Sequence, residues 1–182
     1  MTNEALFEQI DGVLKPLGGV VEEGEEFASP PLDILRYTRR PTRLHWVPVL
    51  GLGQGIVAVV RQPVDLGSSP EHCRGLLNRV ALAVNGRFPP SIRTGAAIGL
   101  PVVTLTPEPI GVGDEAVLAK VVDGRTLPRV RSVPLGLFRV NLGQEAFAYA
   151  LAAGPEGVFP EPLALADVLS QSLRRFVPLM EW

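Results

Sequence analysis

The stretch LHWVPVLGLGQGIVAVV at residues 44–60 contains no formally charged side chain. Valine and isoleucine dominate both of its ends, and these β-branched residues pack well on a pleated surface. Three glycines in the middle, Gly51, Gly53 and Gly55, suit a chain reversal because glycine adopts positive φ without steric cost. The pattern therefore predicts a β-hairpin at about residues 42–62. We expect a bulge near Pro48, since proline cannot donate to a strand ladder.

Neither face of this predicted hairpin is polar. The second strand is apolar on both faces, with one face formed by Ile56, Ala58 and Val60 and the other by Val57, Val59 and Arg61. Strands of this kind are usually covered on both sides, so we place the hairpin deep in the sheet. The glycine spacing is not the G-x-G-x-x-G of a dinucleotide site. Anion binding by the backbone of the turn remains an alternative to an ordinary hairpin turn.

Three segments show the i, i+3, i+4 spacing of amphipathic helices. They cover residues 3–15, 70–85 and 163–177. The second has the clearest start, because Ser69 suits an N-cap and Pro70 suits the first helical position. The predicted fold class is therefore α+β, with a mainly antiparallel sheet built around the central hairpin and covered by these helices.

The rest of the chain is predicted to add strands and connections. Strand patterns occur at residues 32–40, 102–106, 129–142 and 145–153. Segment 114–124 stays open between helix and strand, because Asp114 suits a helix cap whereas VLAKVV suits a strand. The acidic residues 19–31 are interpreted as a connector. With 182 residues, the chain is expected to form one domain.

Composition bounds the cellular setting. Hydrophobic residues make up 46% of the chain and the mean hydropathy is +0.23. This apolar content predicts that a second copy hides some apolar surface, so that the chain forms a homodimer.

The single cysteine, Cys73, fits a reducing compartment. The N-terminus lacks a basic region before an apolar core, so no signal peptide is expected. Glycines and a proline interrupt residues 44–60 too often for a membrane span. We expect a cytoplasmic protein.

The sequence contains no recognisable catalytic or metal-binding pattern. A nucleophilic Cys73 would need a base, and His72 beside it points about 100° away on a helix. The two histidines and one cysteine do not make a zinc cluster, and the glutamates of 19–31 lack the order of a calcium loop. We therefore expect no metal and no cofactor, and a non-enzymatic role, while an active site assembled from distant carboxylates stays open.

A group of arginines is the most informative polar feature. Guanidinium groups match phosphate and carboxylate geometry, and neighbouring aromatic rings can stack on bases. The predicted ligand-binding residues are Arg36, Arg39, Arg40, Arg43, His45 and Trp46. In an extended strand Arg36 and Arg40 share one face and Arg39 lies on the other, so the four arginines would not all converge on one ligand.

The charges around this group are segregated along the chain. Residues 1–33 carry eight acids and one lysine, whereas residues 34–61 carry five arginines and no acid. Opposite charge blocks so close in sequence tend to neutralise each other. We predict that the acids of residues 22–33 fold back near the arginines and mask them. Nucleic acid is therefore not the expected partner.

The predicted order of helix, three strands, helix, further strands and helix resembles in outline the small dimeric chaperone-like α+β domains of bacterial secretion systems. The resemblance is one of element order without a shared motif, and residues 87–133 depart from it. It implies a bacterial interaction module. The leading hypothesis is thus a non-enzymatic protein–protein interaction or chaperone-like module that self-associates. The alternative is an anionic-ligand or nucleic-acid binding protein that uses Arg36–Arg43.

Overall fold

Seven strands form one sheet in a computed structural model that describes residues 1–29, 31–41, 52–62, 69–88, 97–122, 132–152 and 159–175. The order of the strands across the sheet follows their order in the chain. The strands are β1 (Val20–Ala28), β2 (Pro31–Pro41), β3 (Leu52–Arg61), β4 (Ala97–Leu105), β5 (Ser132–Asn141), β6 (Ala146–Leu151) and β7 (Arg174–Arg175). The helices are α1 (Asn3–Leu14), α2 (Pro70–Arg87), α3 (Asp114–Ala119) and α4 (Glu161–Ser172).

The directions of neighbouring strands depend on what connects them. β1, β2 and β3 are antiparallel in turn, as are β5 and β6. β3, β4 and β5 run parallel, because α2 and α3 provide the crossovers that parallel neighbours need. β7 is parallel to β6. The α+β class is confirmed, but the sheet is mixed where a mainly antiparallel one was predicted.

Strand β3 is the second half of the predicted hairpin and lies inside the sheet. Its antiparallel partner is β2, and its other edge is hydrogen-bonded to β4. A strand has only two hydrogen-bonding edges, so the predicted pairing with residues 44–50 is wrong for β3. Those residues and the expected bulge at Pro48 lie outside the described residues. Gly55 is a strand residue, and a Cβ there would lie 2.7 Å from Glu161 Oε1.

Helices cover both faces of the sheet, as the two apolar faces of β3 predicted. Ile56, Ala58 and Val60 pack with α2 and α3 in one hydrophobic cluster. Val57 and Val59 pack with α1 and α4 in a second cluster on the opposite face. All five side chains are at most 1% exposed. The sheet is therefore the middle layer of three.

The predicted helices are confirmed with shifted ends. α2 starts at Pro70 with Ser69 as its N-cap, whose side chain accepts the His72 N–H at 3.3 Å. It continues through Gly86, which was predicted to stop it. α4 ends at Ser172, and the chain then enters β7 instead of continuing as helix. The open segment 114–124 begins with the short helix α3.

The acidic segment 19–31 is an edge strand, not a connector. β1 pairs antiparallel with β2 and places Glu22 opposite Tyr37. The sequence did not predict this strand, because glutamate and glycine are depleted from strands. Gly24 permits it, because a Cβ there would overlap the carbonyl oxygen of Ile34 and the backbone of Leu35, at the point where β2 shifts register in its pairing with β3.

Candidate interaction surface

A groove of about 500 Å³ lies between edge strand β1 and helix α2. We call it the β1–α2 groove, and its lining is mostly apolar. Its residues are Glu25, Phe27, Ser29 and Leu32 from the sheet and Arg79, Leu82, Ala83, Gly86 and Arg87 from α2. Cavities of this size commonly hold a ligand or part of a partner.

The groove exists because α2 covers the sheet only up to β2. The buried stripe of α2 packs in one hydrophobic cluster with β2, β3, β4 and β5, whereas Phe27 of β1 is only partly buried at the margin of that core. Leu82 lies outside the stripe, with 56% of its surface exposed. Single exposed apolar residues are ordinary, but Leu82 adjoins an apolar groove, and contiguous apolar surface of this kind marks interaction sites.

The predicted arginine group is divided between the two faces of the sheet. Arg36 is 9% exposed; it forms an ion pair with Asp11 of α1 and lies 4.9 Å from the centre of the Phe7 ring. Arg40 forms an ion pair with Glu161 of α4 on the same face. Both cations therefore attach helices to the sheet.

Arg39 lies on the other face, as the strand alternation predicted. Its Nε donates to Glu22 Oε1 at 3.1 Å, and its guanidinium lies 5.7 Å from the Phe88 ring centre. The other three predicted residues, Arg43, His45 and Trp46, lie outside the described residues. The three described arginines of the predicted group, Arg36, Arg39 and Arg40, therefore do not converge on one ligand.

The predicted return of the acidic segment onto the arginines is confirmed. Glu22 contacts Arg39, and Asp33 lies 2.8 Å from Arg61 through Oδ2 and Nη1. Antiparallel pairing of β1 with β2 produces the Glu22–Arg39 contact, because it places the two charge blocks side by side. The Asp33–Arg61 pair joins β2 to β3 instead, and Arg61 was not one of the predicted partners.

Arg87 is a functional candidate that sequence reasoning missed. Its Nη2 lies 3.7 Å from Glu22 Oε2, so one carboxylate faces both Arg39 and Arg87. Tyr37 and Phe88 lie beneath the two guanidiniums in an edge-to-face pair with centres 5.2 Å apart. The sequence feature that could have identified Arg87 is its position in the last turn of α2, where a cation complements the helix dipole.

Tyr37 is held in its neutral form by its surroundings. Its side chain is buried in the core, and its hydroxyl donates to Glu25 Oε1 at 2.6 Å. Burial raises the pKa of Tyr37 well above its usual value, and the hydrogen bond to Glu25 raises it further. Tyr37 is thus a structural support for the two arginines.

A second polar cluster is buried beside strand β5. Arg139 of β5 is 2% exposed and donates to Asp114 Oδ1 at 2.8 Å and to Glu108 Oε2 at 2.9 Å. The cavity beside it, next to Cys73, measures about 10 Å³, which is room for about one water molecule. The pairing makes Arg139 a structural residue.

Cys73 should be nearly inert in the native protein. It is 8% exposed, and burial raises the pKa of its thiol, so the reactive thiolate is scarce at neutral pH. We expect a thiol reagent such as DTNB to modify the native chain at pH 8 at least about 100-fold more slowly than the chain in guanidinium chloride, because access requires local opening. Equal modification rates for the native and the denatured chain, followed by absorbance, would contradict the buried position of Cys73.

Neither a cluster of metal ligands nor a membrane-spanning helix is found in the part of the chain that the structure describes. Within those residues, no three side chains of His, Cys, Asp or Glu come together as metal ligands. None of the helices there is long and apolar enough to cross a membrane.

Comparisons with known proteins leave the family open. No protein-family model matches the chain, and neither a curated protein nor a solved structure was found to be similar to it.

Proposed function

We propose that the protein is a protein–protein interaction module that self-associates through the β1–α2 groove. The observation that supports this most directly is the mostly apolar groove with Leu82, 56% exposed, on its margin. A second copy would bury this surface, which agrees with the high apolar content of the chain.

Pairing of two copies along the free edge of β1 is disfavoured. Glutamates flank Gly24 symmetrically in the sequence EEGEE at residues 22–26. A twofold antiparallel pairing centred on Gly24 brings the four glutamates of one copy alongside the four of the other, and like charges so close across a strand pair are destabilising. Charged edge strands oppose this kind of association. This repulsion favours a contact between faces over pairing along the edge.

The charges around the groove suit a twofold contact between faces. Glu25 lies on the β1 side, and Arg79 and Arg87 lie on the α2 side. In a twofold dimer the same patch meets itself. If the axis runs along the groove, the acidic side of one copy faces the basic side of the other. The apolar middle, with Phe27 and Leu82, then meets its counterpart.

Leu82→Asp should weaken the dimer at least about tenfold, the scale at which loss of a central apolar contact acts. Sedimentation velocity across a micromolar concentration series measures the effect. Leu163→Asp is the matched control, because Leu163 is a 40% exposed leucine on α4, which covers the opposite face of the sheet. Circular dichroism checks that both variants are folded.

Two results would contradict the proposal. A wild-type chain that stays monomeric throughout the series would exclude self-association. Equal weakening by both variants, or by neither, would show that the β1–α2 groove is not the contact surface.

The anion-binding hypothesis has less support for the predicted Arg36–Arg43 group. Arg36 and Arg40 are each paired with a carboxylate from a helix, and Arg36 is buried. A ligand would have to displace Asp11 or Glu161 and loosen a helix. This argument does not apply to Arg39, which lies nearer the surface.

A further inference from the structure

We propose that Arg39 and Arg87 form a binding site for a phosphate-type anion, in which the Glu22 carboxylate takes the place of that anion. The inference concerns small anions and does not depend on self-association.

The geometry around Glu22 is that of a bound ligand. Oε1 accepts from Arg39 Nε at 3.1 Å, and Oε2 lies 3.7 Å from Arg87 Nη2. Each oxygen therefore faces a different guanidinium. Guanidinium groups bind carboxylate and phosphate oxygens through the same planar arrangement of donors, so a phosphate group can occupy the position of this carboxylate.

The positive charge of Arg39 and Arg87 exceeds the negative charge of Glu22, so the site can bind an anion with more charge than a carboxylate. Two cations face one carboxylate at this site. The next acid on the same face, Glu25, is hydrogen-bonded to the Tyr37 hydroxyl at 2.6 Å and pairs with neither arginine. A phosphate dianion would balance Arg39 and Arg87 better than the single charge of Glu22.

Aromatic rings hold the two arginines independently of Glu22. Arg39 lies 5.7 Å from the Phe88 ring centre, and Arg87 lies 5.4 Å from Tyr37 and 5.6 Å from Phe88. Cation–π contacts of this length stabilise a guanidinium over a ring. Tyr37 and Phe88 are at most 8% exposed, so the platform is rigid. The arginines should keep their positions when Glu22 leaves.

Glu22 can leave without disrupting the sheet. Its side chain is 26% exposed, and the pairing of β1 with β2 depends on backbone groups. A free anion must compete with this tethered carboxylate, whose effective concentration is in the millimolar range or above. The intact chain should therefore bind small anions weakly, and removal of the Glu22 charge should reveal the site.

The test compares Glu22→Gln with Glu23→Gln, which removes the same charge one residue away on the opposite face of β1. Both are made in the Leu82→Asp background, because Arg87 also lines the β1–α2 groove. Pyrophosphate is titrated at low salt by calorimetry. We expect the Glu22→Gln chain to bind it at least about tenfold more tightly than the Glu23→Gln chain, with an affinity that falls as salt is added.

Replacing Arg87 with glutamine in the Glu22→Gln chain should abolish the gain. Equal binding by the two glutamine variants, or a gain that survives the loss of Arg87, would overturn the proposal. If Glu22→Gln does not fold, the Leu82→Asp chain with Glu22 intact decides. Titration with concentrated pyrophosphate should then shift the Nε–H signal of Arg39 in NMR spectra, and an unchanged signal would exclude the site. None of these outcomes depends on whether the chain dimerises.

Discussion

Replacing Arg139 with methionine should lower the free energy of unfolding by about 3–5 kcal/mol, the usual cost of removing one member of a buried ion pair. The methionine fills much of the space but leaves the Asp114 carboxylate, whose side chain is 10% exposed, without its cation. Chemical denaturation with a constant m-value measures the change.

Arg61→Met is the matched control for this substitution. Arg61 also pairs with an acid, Asp33, but its side chain is 60% exposed, and exposed pairs contribute about 0–1 kcal/mol. Adding Asp114→Asn to Arg139→Met should recover part of the loss, because the unpaired carboxylate is then removed. Similar losses for Arg139→Met and Arg61→Met would show that Arg139 is not in a buried pair.

Replacing Gly24 with alanine should lower the free energy of unfolding by about 3 kcal/mol, the upper part of the range for atoms forced into a well-packed region. The new Cβ would overlap the Ile34 carbonyl oxygen and the Leu35 backbone. Neither can move without separating β1 from β2. Hydrogen exchange should show faster exchange of the β1–β2 amides than of those between β3 and β4.

Gly75→Ala in α2 is the control for Gly24→Ala. A Cβ at Gly75 meets no atom within 4 Å, and alanine is favoured over glycine inside a helix by about 1 kcal/mol. The Gly75→Ala chain should therefore have a higher free energy of unfolding than the wild type. A Gly24→Ala chain as stable as the wild type would contradict the close approach of β1 and β2 at Gly24.

The helices could be predicted from the sequence because their signals are local. Ser69 and Pro70 mark the start of α2 by side-chain chemistry that needs no distant partner. The apolar alternation of residues 56–60 likewise predicted a strand covered on both sides, and α2 and α1 lie on those faces. Such patterns follow from the repeats of 3.6 and 2 residues that the backbone imposes.

The partners of β3 could not be predicted in the same way. Residues 44–60 look like a hairpin because valines flank glycines, yet an apolar strand can pair with any neighbour of suitable length. The choice of β4 depends on α2, which returns the chain parallel to β3. The alternation within β3 carries no information about that return.

The sequence alone determined the positions of α1, α2 and α4, the double-sided burial of β3, and the approach of the acidic block to the arginines. Each depends on residue type and on short separations along the chain. Only the tertiary structure decided that residues 20–28 are a strand and that the β1–α2 groove lies beside it. It also decided which partner each arginine has. Arg39 meets Glu22 across 17 residues, but Arg40 meets Glu161 across 121. Contacts at that separation arise from packing of the whole sheet, which no local pattern encodes.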